Sequence, residues 1–176
     1  EGPHRLRVMY AYPNRFPWQL APLLRDHPRV VPYLDIPVQH VATDVLRAMR
    51  RAGSGDQVRK ILDRLLEEVP GITLRTTLLV GFPGETDAHV KELADFVREY
   101  RLGRLGVFTY SREQGTPGYE LEGAADETLA AERRAEVLRA RDEVLRASQT
   151  ALIGGELEVL VEAHRNGVLC KGRARL

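Results

Sequence analysis

The 176-residue sequence predicts an α/β protein: parallel strands alternating with helical crossovers, then one long helix and a β-hairpin. Three observations carry that expectation. Over the first two thirds, short strand-like runs alternate with stretches whose apolar residues recur at helical spacing. At Leu74-Arg75-Thr76-Thr77-Leu78-Leu79-Val80 a strand-like run passes through Gly81-Phe82-Pro83-Gly84 into a helix start, as in an α/β barrel, where strands deliver the chain to site-building loops. After Gly154-Gly155 the pattern changes again. Leu157, Val159 and Val161 alternate with Glu156, Glu158, Leu160 and Glu162, an approximate strand pattern, and Asn166-Gly167 is a hairpin-turn signal.

Strands are expected near residues 6–11, 31–36, 74–80 and 105–110. Residues 18–25 read as a short helix with Leu20, Leu23 and Leu24 inward. Thr43 caps a second helix reaching Arg50, ended by Gly53-Ser54-Gly55. Val58, Ile61, Leu62, Leu65, Leu66 and Val69 share one face of a third, which Pro70-Gly71 stops. Thr86 caps a fourth from Asp87, striped by Val90, Leu93, Ala94 and Val97. A turn-rich connection over 115–125 leads to a long helix over about 126–152. Its packed face carries Val137, Ala140, Val144, Ala147 and Ala151. Glu132, Arg133, Glu136, Arg139, Asp142, Glu143 and Arg146 form a solvated face. A returning strand over 168–176 completes the hairpin. Because two strands alone are marginal, the hairpin is expected to open a small β-barrel. The expected divisions are 1–120, 121–153 and 154–176.

Composition narrows the function classes. Hydrophobic residues are 43% and charged residues 29%, which suits a soluble globular chain. A formal net charge of +1 provides little long-range steering. No apolar run is long enough for a membrane span, and no secretory leader is visible. The single cysteine, Cys170, excludes an internal disulfide and suits a reducing cytoplasm. The five histidines show no metal-ligand spacing, and the glycines fit neither a GxGxxG nor a P-loop pattern.

Four segments carry a resemblance: Val80-Gly81-Phe82-Pro83-Gly84-Glu85-Thr86; Tyr33-Leu34-Asp35-Ile36-Pro37-Val38-Gln39-His40 with Leu46-Arg47-Ala48-Met49-Arg50-Arg51; Arg7-Val8-Met9-Tyr10-Ala11-Tyr12-Pro13; and Phe108-Thr109-Tyr110-Ser111-Arg112-Glu113-Gln114-Gly115-Thr116. In order and spacing they resemble the radical S-adenosylmethionine (SAM) methylthiotransferases. The Asp35–His40 form is similar to the branch that modifies an aspartate of a small-subunit ribosomal protein. tRNA-modifying relatives usually have Gln-Ser-Gly where this chain has Gln39-His40-Val41.

The resemblance implies a radical SAM barrel of six strands, about four of them present, then a linking helix and the start of a TRAM domain. It implies SAM and two 4Fe-4S clusters as cofactors. The partner it implies is a small-subunit ribosomal protein of the decoding centre, with RNA contact through the TRAM region and no membrane. The reaction implied is methylthio insertion at an aspartate β-carbon. Cluster-binding cysteines of the CxxxCxxC type are missing, so the chain is expected to be a C-terminal fragment, inactive alone and prone to associate through an exposed edge.

For SAM binding the resemblance points to Gln39, His40, Gly81, Phe82, Gly84, Glu85, Phe108 and Tyr110. Each has a plainer alternative. His40 caps a loop, Gln39 bonds backbone, Glu85 bonds an amide or an arginine, and the two aromatics belong to the core. Asp35 is expected to pair with Arg75 across neighbouring strands. Arg165, Lys171, Arg173 and Arg175 offer a basic surface for RNA or an acidic protein, or simply a solvated hairpin. Two rivals stand beside the ribosomal-protein reading: a tRNA adenosine methylthiotransferase, and a non-catalytic ribosome-binding module.

Overall fold

Eight residues, Thr73–Val80, make the longest strand of the main sheet, and their burial alternates strictly between half-buried and buried. That two-residue period is what a pleated strand with different surroundings on its two faces must show. The structure, a computed structural model, describes residues 5–51, 53–165 and 169–174. Its main sheet holds β1 (Leu6–Val8), β2 (Val30–Asp35), β3 (Thr73–Val80) and β4 (Arg104–Thr109), all parallel and in chain order. The crossovers are α1 (Leu20–Asp26) after β1, α2 (Thr43–Ala48) and α3 (Gly55–Glu68) after β2, and α4 (Asp87–Glu99) after β3. A 3-10 turn at Pro117–Glu120 precedes α5 (Glu127–Thr150). A separate antiparallel pair follows, β5 (Val159–Arg165) and β6 (Leu169–Ala174).

The core lies between the sheet and its helices. Leu34, Leu74, Leu78 and Val80 pack there against Leu62 and Leu65 of α3, Leu93, Phe96 and Val97 of α4, and Val137 and Ala140 of α5. Each such side chain contributes about 1.5–3 kcal/mol through removal from water. Reciprocal hydrogen bonds cap two of these helices. Ser54 Oγ accepts from Gln57 N–H while the Gln57 side chain accepts from Ser54 N–H, and Thr86 and His89 repeat the arrangement on α4.

Several expectations change. β1 ends at Val8, three residues early, and Tyr10 just beyond it is left-handed at φ 60°. Thr43 does not cap α2: Ala42 stands at the cap, and Thr43 Oγ1 instead accepts from Gly55 N–H at 3.1 Å. Ser54 opens α3 rather than closing α2. Gly55 is required there, since a Cβ would lie 1.9 Å from the Val41 carbonyl oxygen. Along α5 and at its end, Ala147 and Ala151 are exposed, because beyond Val144 the residues lining the groove with Ile72 and Thr73 are Leu145, Ser148, Gln149 and Leu152 instead. Arg133, expected on the solvated face, is buried. Asn166-Gly167, Arg175 and residues 1–4 lie outside the described residues, as do the side chains of Arg165, Cys170, Lys171 and Arg173. Among the described residues no helix is long and apolar enough to cross a membrane.

Candidate functional site

Past the C-terminal end of β2 the chain continues as though still in the sheet. Gln39 N–H donates to the Thr77 carbonyl and Leu79 N–H donates to the Gln39 carbonyl, both at 2.8 Å. Thr76, 1% exposed, clamps the same junction: its hydroxyl accepts from Val38 N–H at 3.2 Å and donates to the Ile36 carbonyl at 2.9 Å. Gln39 pays for this register with a left-handed backbone at φ 71°, a conformation non-glycine residues seldom adopt. Its half-buried side-chain amide makes no hydrogen bond among the described residues.

The next residue turns the other way. His40 is fully buried, and its Nδ1 accepts from the N–H groups of Val41 and Ala42, both at 3.0 Å. An Nδ1 that accepts twice carries no proton, so the ring holds its hydrogen on Nε2. That atom lies 3.3 Å from Glu85 Oε2. Neither atom makes a well-aligned hydrogen bond among the described residues, so the contact is long and the firm partners of Glu85 are elsewhere. Glu85 Oε1 accepts from Gly81 N–H at 2.8 Å and from Arg133 Nη1 at 3.0 Å, and Arg133 Nη2 continues to Asp87 Oδ1 at 3.0 Å. One carboxylate thus ties the loops after β2 and β3 to α4 and α5. Gly81 fits this framework at φ 80°, and a Cβ on it would press to 3.1 Å from Ala130 Cβ of α5. Phe82 is buried with Ala42 and Val45 and meets the Tyr110 ring edge-on at 5.0 Å.

The opposite face of the sheet is open. Arg75 Nη1 pairs with Asp35 Oδ2 at 2.6 Å across β2 and β3, as the sequence predicts, leaving Asp35 Oδ1 buried without a partner. Arg7 lies over the Tyr33 ring at 5.2 Å with its Nε also unpartnered. Phe108 stands in register with Leu79 and is 60% exposed. The Tyr110 hydroxyl is buried with no hydrogen bond among the described residues. This face offers an aromatic ring, a free amide, a buried hydroxyl and an arginine–carboxylate pair at or near the C-terminal ends of parallel strands, which is where barrel folds place ligands.

The eight predicted site residues therefore divide. Gln39, Phe108 and Tyr110 belong to the open face. His40, Glu85, Gly81 and Phe82 are buried beneath it, the first two with no exposed side-chain surface. Gly84 is exposed at φ 82°, with open space around it. His40 satisfies loop N–H groups, and Glu85 bonds both an amide and an arginine. Arg133 and Thr76 were missed. An arginine among surface charges on a helix, and a threonine within a strand, carry no local mark of a distant partner.

Comparison with known proteins gives three findings. Residues 3–97 match the Radical SAM superfamily model. The ribosomal protein uS12 methylthiotransferase RimO of Desulforamulus reducens is 42% identical over 92% of this chain, and those of Sorangium cellulosum and Geotalea uraniireducens are 46% and 43% identical over 92% and 99%. The aligned parts are 36%, 33% and 39% of those relatives, so the chain spans about a third of their length. Among solved structures, the radical SAM enzyme coproporphyrinogen III oxidase (HemN) of Escherichia coli superposes with a TM-score of 0.58 at 16% identity, over 85% of this chain and 34% of that one. The parallel sheet with its outer helices is thus part of a radical SAM barrel.

Proposed function

The chain belongs to the radical SAM superfamily, and on that premise we propose that it supplies the later strands of the SAM-binding barrel in a ribosomal-protein methylthiotransferase. The observation that carries this reading is the 42–46% identity to three RimO proteins over nearly the whole chain. The target is then the β-carbon of an aspartate in a small-subunit ribosomal protein, uS12 by the relatives' names, and the work is cytoplasmic. Residues 121–153 serve as the linking helix and 154–176 as the start of a TRAM domain that touches RNA.

The residues present fit SAM in part. The unbonded Gln39 amide and the exposed Phe108 ring make a suitable surface for an adenosine moiety, with the Tyr110 ring packed behind them against Phe82. When bound, SAM supplies the carbon radical and the methyl group. The chain's own part is to orient the nucleoside, to keep stray hydrogen donors away, and to hold Gln39 and the loop after β3 in place through Thr76 and the His40–Glu85–Arg133 framework. The residues do not fit an iron–sulfur cluster: the sequence has one cysteine, and the described residues bring no three His, Cys, Asp or Glu side chains together.

Intact mass of small-subunit ribosomal proteins from cells with and without the gene tests the reading. Loss of one methylthio increment from a single ribosomal protein is expected. Unchanged protein masses with a methylthio-adenosine lost from tRNA would move the function to the tRNA branch. No loss in either pool would leave a non-catalytic module.

A further inference from the structure

A second cavity lies beside the β2 loop, outside the open sheet face and unused by the chemistry above. It occupies about 470 Å³ between the segment after β1 and the N-terminal half of α3. That is ample for a small ligand. Three cations line it, Arg15, Arg51 and Lys60, and among the described residues no carboxylate does. In a chain with a net charge of +1 this is a local concentration of positive charge. None of the three makes an ion pair among the described residues, whereas Arg64, just outside, is neutralised by Glu68 at 2.5 Å. Arg51 only reaches the Pro37 carbonyl, at 3.5 Å.

Three aromatic side chains, Tyr12, Phe16 and Trp18, also line the cavity, beside aliphatic and small polar residues. Phe16 is buried and fixes the segment; Trp18 meets it edge-on at 4.9 Å. Tyr12 is 47% exposed, with the Arg51 guanidinium 5.6 Å from its ring centre. The segment is also held in an uncommon shape, Tyr10 and Arg15 both being left-handed at φ 60° and 58°. Such conformations cost energy and persist where the surroundings over-determine them. Ala11 N–H bonded to the Asp35 carbonyl at 2.8 Å supplies part of that constraint.

We propose that this groove binds a phosphorylated nucleoside, its base against Tyr12 and its phosphate among Arg15, Arg51 and Lys60. Cations without counter-ions favour an anion, and an exposed aromatic ring beside them favours one that carries a planar group. The site is separate from the adenosine surface at Gln39, Phe108 and Tyr110, and does not depend on the methylthiotransferase reading. The same chemistry is offered by a free nucleotide and by a nucleotide within exposed RNA.

The full-length protein is titrated with uridine 5′-monophosphate, uridine and a short oligouridylate under saturating S-adenosylhomocysteine. Trp18, the only tryptophan of this sequence, reports occupancy as the fluorescence difference from a Trp18→Phe variant. The monophosphate is expected to change that signal, with uridine weaker by about tenfold or more because it lacks the charge-assisted bonds. Arg15→Gln and Lys60→Gln, both at exposed positions, should each weaken the monophosphate by several-fold, and Lys60→Arg should retain it. A clearly tighter oligouridylate identifies RNA as the source, and equal affinities identify a free nucleotide. No binding, binding insensitive to both glutamine variants, or an oligoglutamate peptide binding where nucleotides do not would each overturn the proposal.

Discussion

The two faces of β3 received the same chain and ended in different chemistry. On the helix side Leu74, Thr76, Leu78 and Val80 are 6%, 1%, 0% and 0% exposed, closed off by α3, α4 and α5. On the other side Thr73, Arg75, Thr77 and Leu79 are half-buried, and neighbours there keep unpartnered polar atoms: Asp35 Oδ1 on β2 and Arg7 Nε on β1. Buried polar groups are normally satisfied, and among the described residues such unpartnered atoms also occur in the His40–Glu85–Arg133 framework, so the faces differ in closure by helices rather than in these atoms. The first face was optimised for packing by this chain alone. The second is left half-buried, with no helix packed over it among the described residues.

Substitutions on each face should separate those roles. The largest effect is expected at Glu85, whose removal leaves the Gly81 N–H without its acceptor and buried Arg133 with only the exposed Asp87. Glu85→Ala should cost about 3–5 kcal/mol in denaturant unfolding, the range for breaking a buried charged pair. A loss below about 1 kcal/mol would mean the framework does not hold the loops together. Leu78→Ala should cost about 2–5 kcal/mol by opening a cavity against the helices. Leu79→Ala, one residue along and on the open face, should cost clearly less, and equal costs would erase the distinction between the faces.

Arg75→Ala should remove about 1–3 kcal/mol, since Asp35 would remain buried with neither oxygen paired. Water at the half-exposed guanidinium places the value toward the lower end. Adding Asp35→Asn should recover part of it, which a double-mutant cycle would read.

At the far end of the sheet, Tyr100 tests the packed side by pH. Burial, reinforced by its hydroxyl donating to Asp63 at 2.8 Å, pushes its ionisation up to about 12. An unfolded tyrosine releases its proton near about 10. Between those values the unfolded chain loses a proton that the folded one keeps, so stability falls as pH rises through that window and is unaffected below it. Tyr100→Phe should remove this component of the alkaline loss, and an unchanged pH profile would contradict it. The smallest stability effect is expected at Phe108. Phe108→Ala should lie within about 0.5 kcal/mol of the parent in unfolding. It should nevertheless weaken S-adenosylhomocysteine binding to the full-length protein by roughly tenfold in calorimetry, as expected for a lost stacking surface. A large unfolding cost with unchanged affinity would move Phe108 to the packed side.

Local signals accounted for the elements. The strand-like run of β3, the Thr86 cap and the Pro70-Gly71 stop all act within a few residues, and all appear where the sequence puts them. Boundaries failed where a distant partner intervened. Ser54 was read as a terminator because it sits between two glycines, yet Gln57 completes a capping box with it and Thr43 satisfies the next amide. The candidate site was legible as a set of segments and only partly as roles. Gln39 and His40 are adjacent, and nothing in their types says that one side chain faces the open side while the other is fully buried.

The sequence by itself determined the order of strands and helices and the motif segments that join this chain to its superfamily, because periodicity and turn chemistry are short-range. Only the tertiary structure decided that Glu85 gathers Gly81, His40 and Arg133, that Arg133 leaves its surface stripe for the interior, and that three scattered cations converge beside Tyr12. Those outcomes depend on contacts such as the one spanning 48 residues between Glu85 and Arg133. A buried charge is tolerated only where its partner arrives, and the fold alone brings the partner.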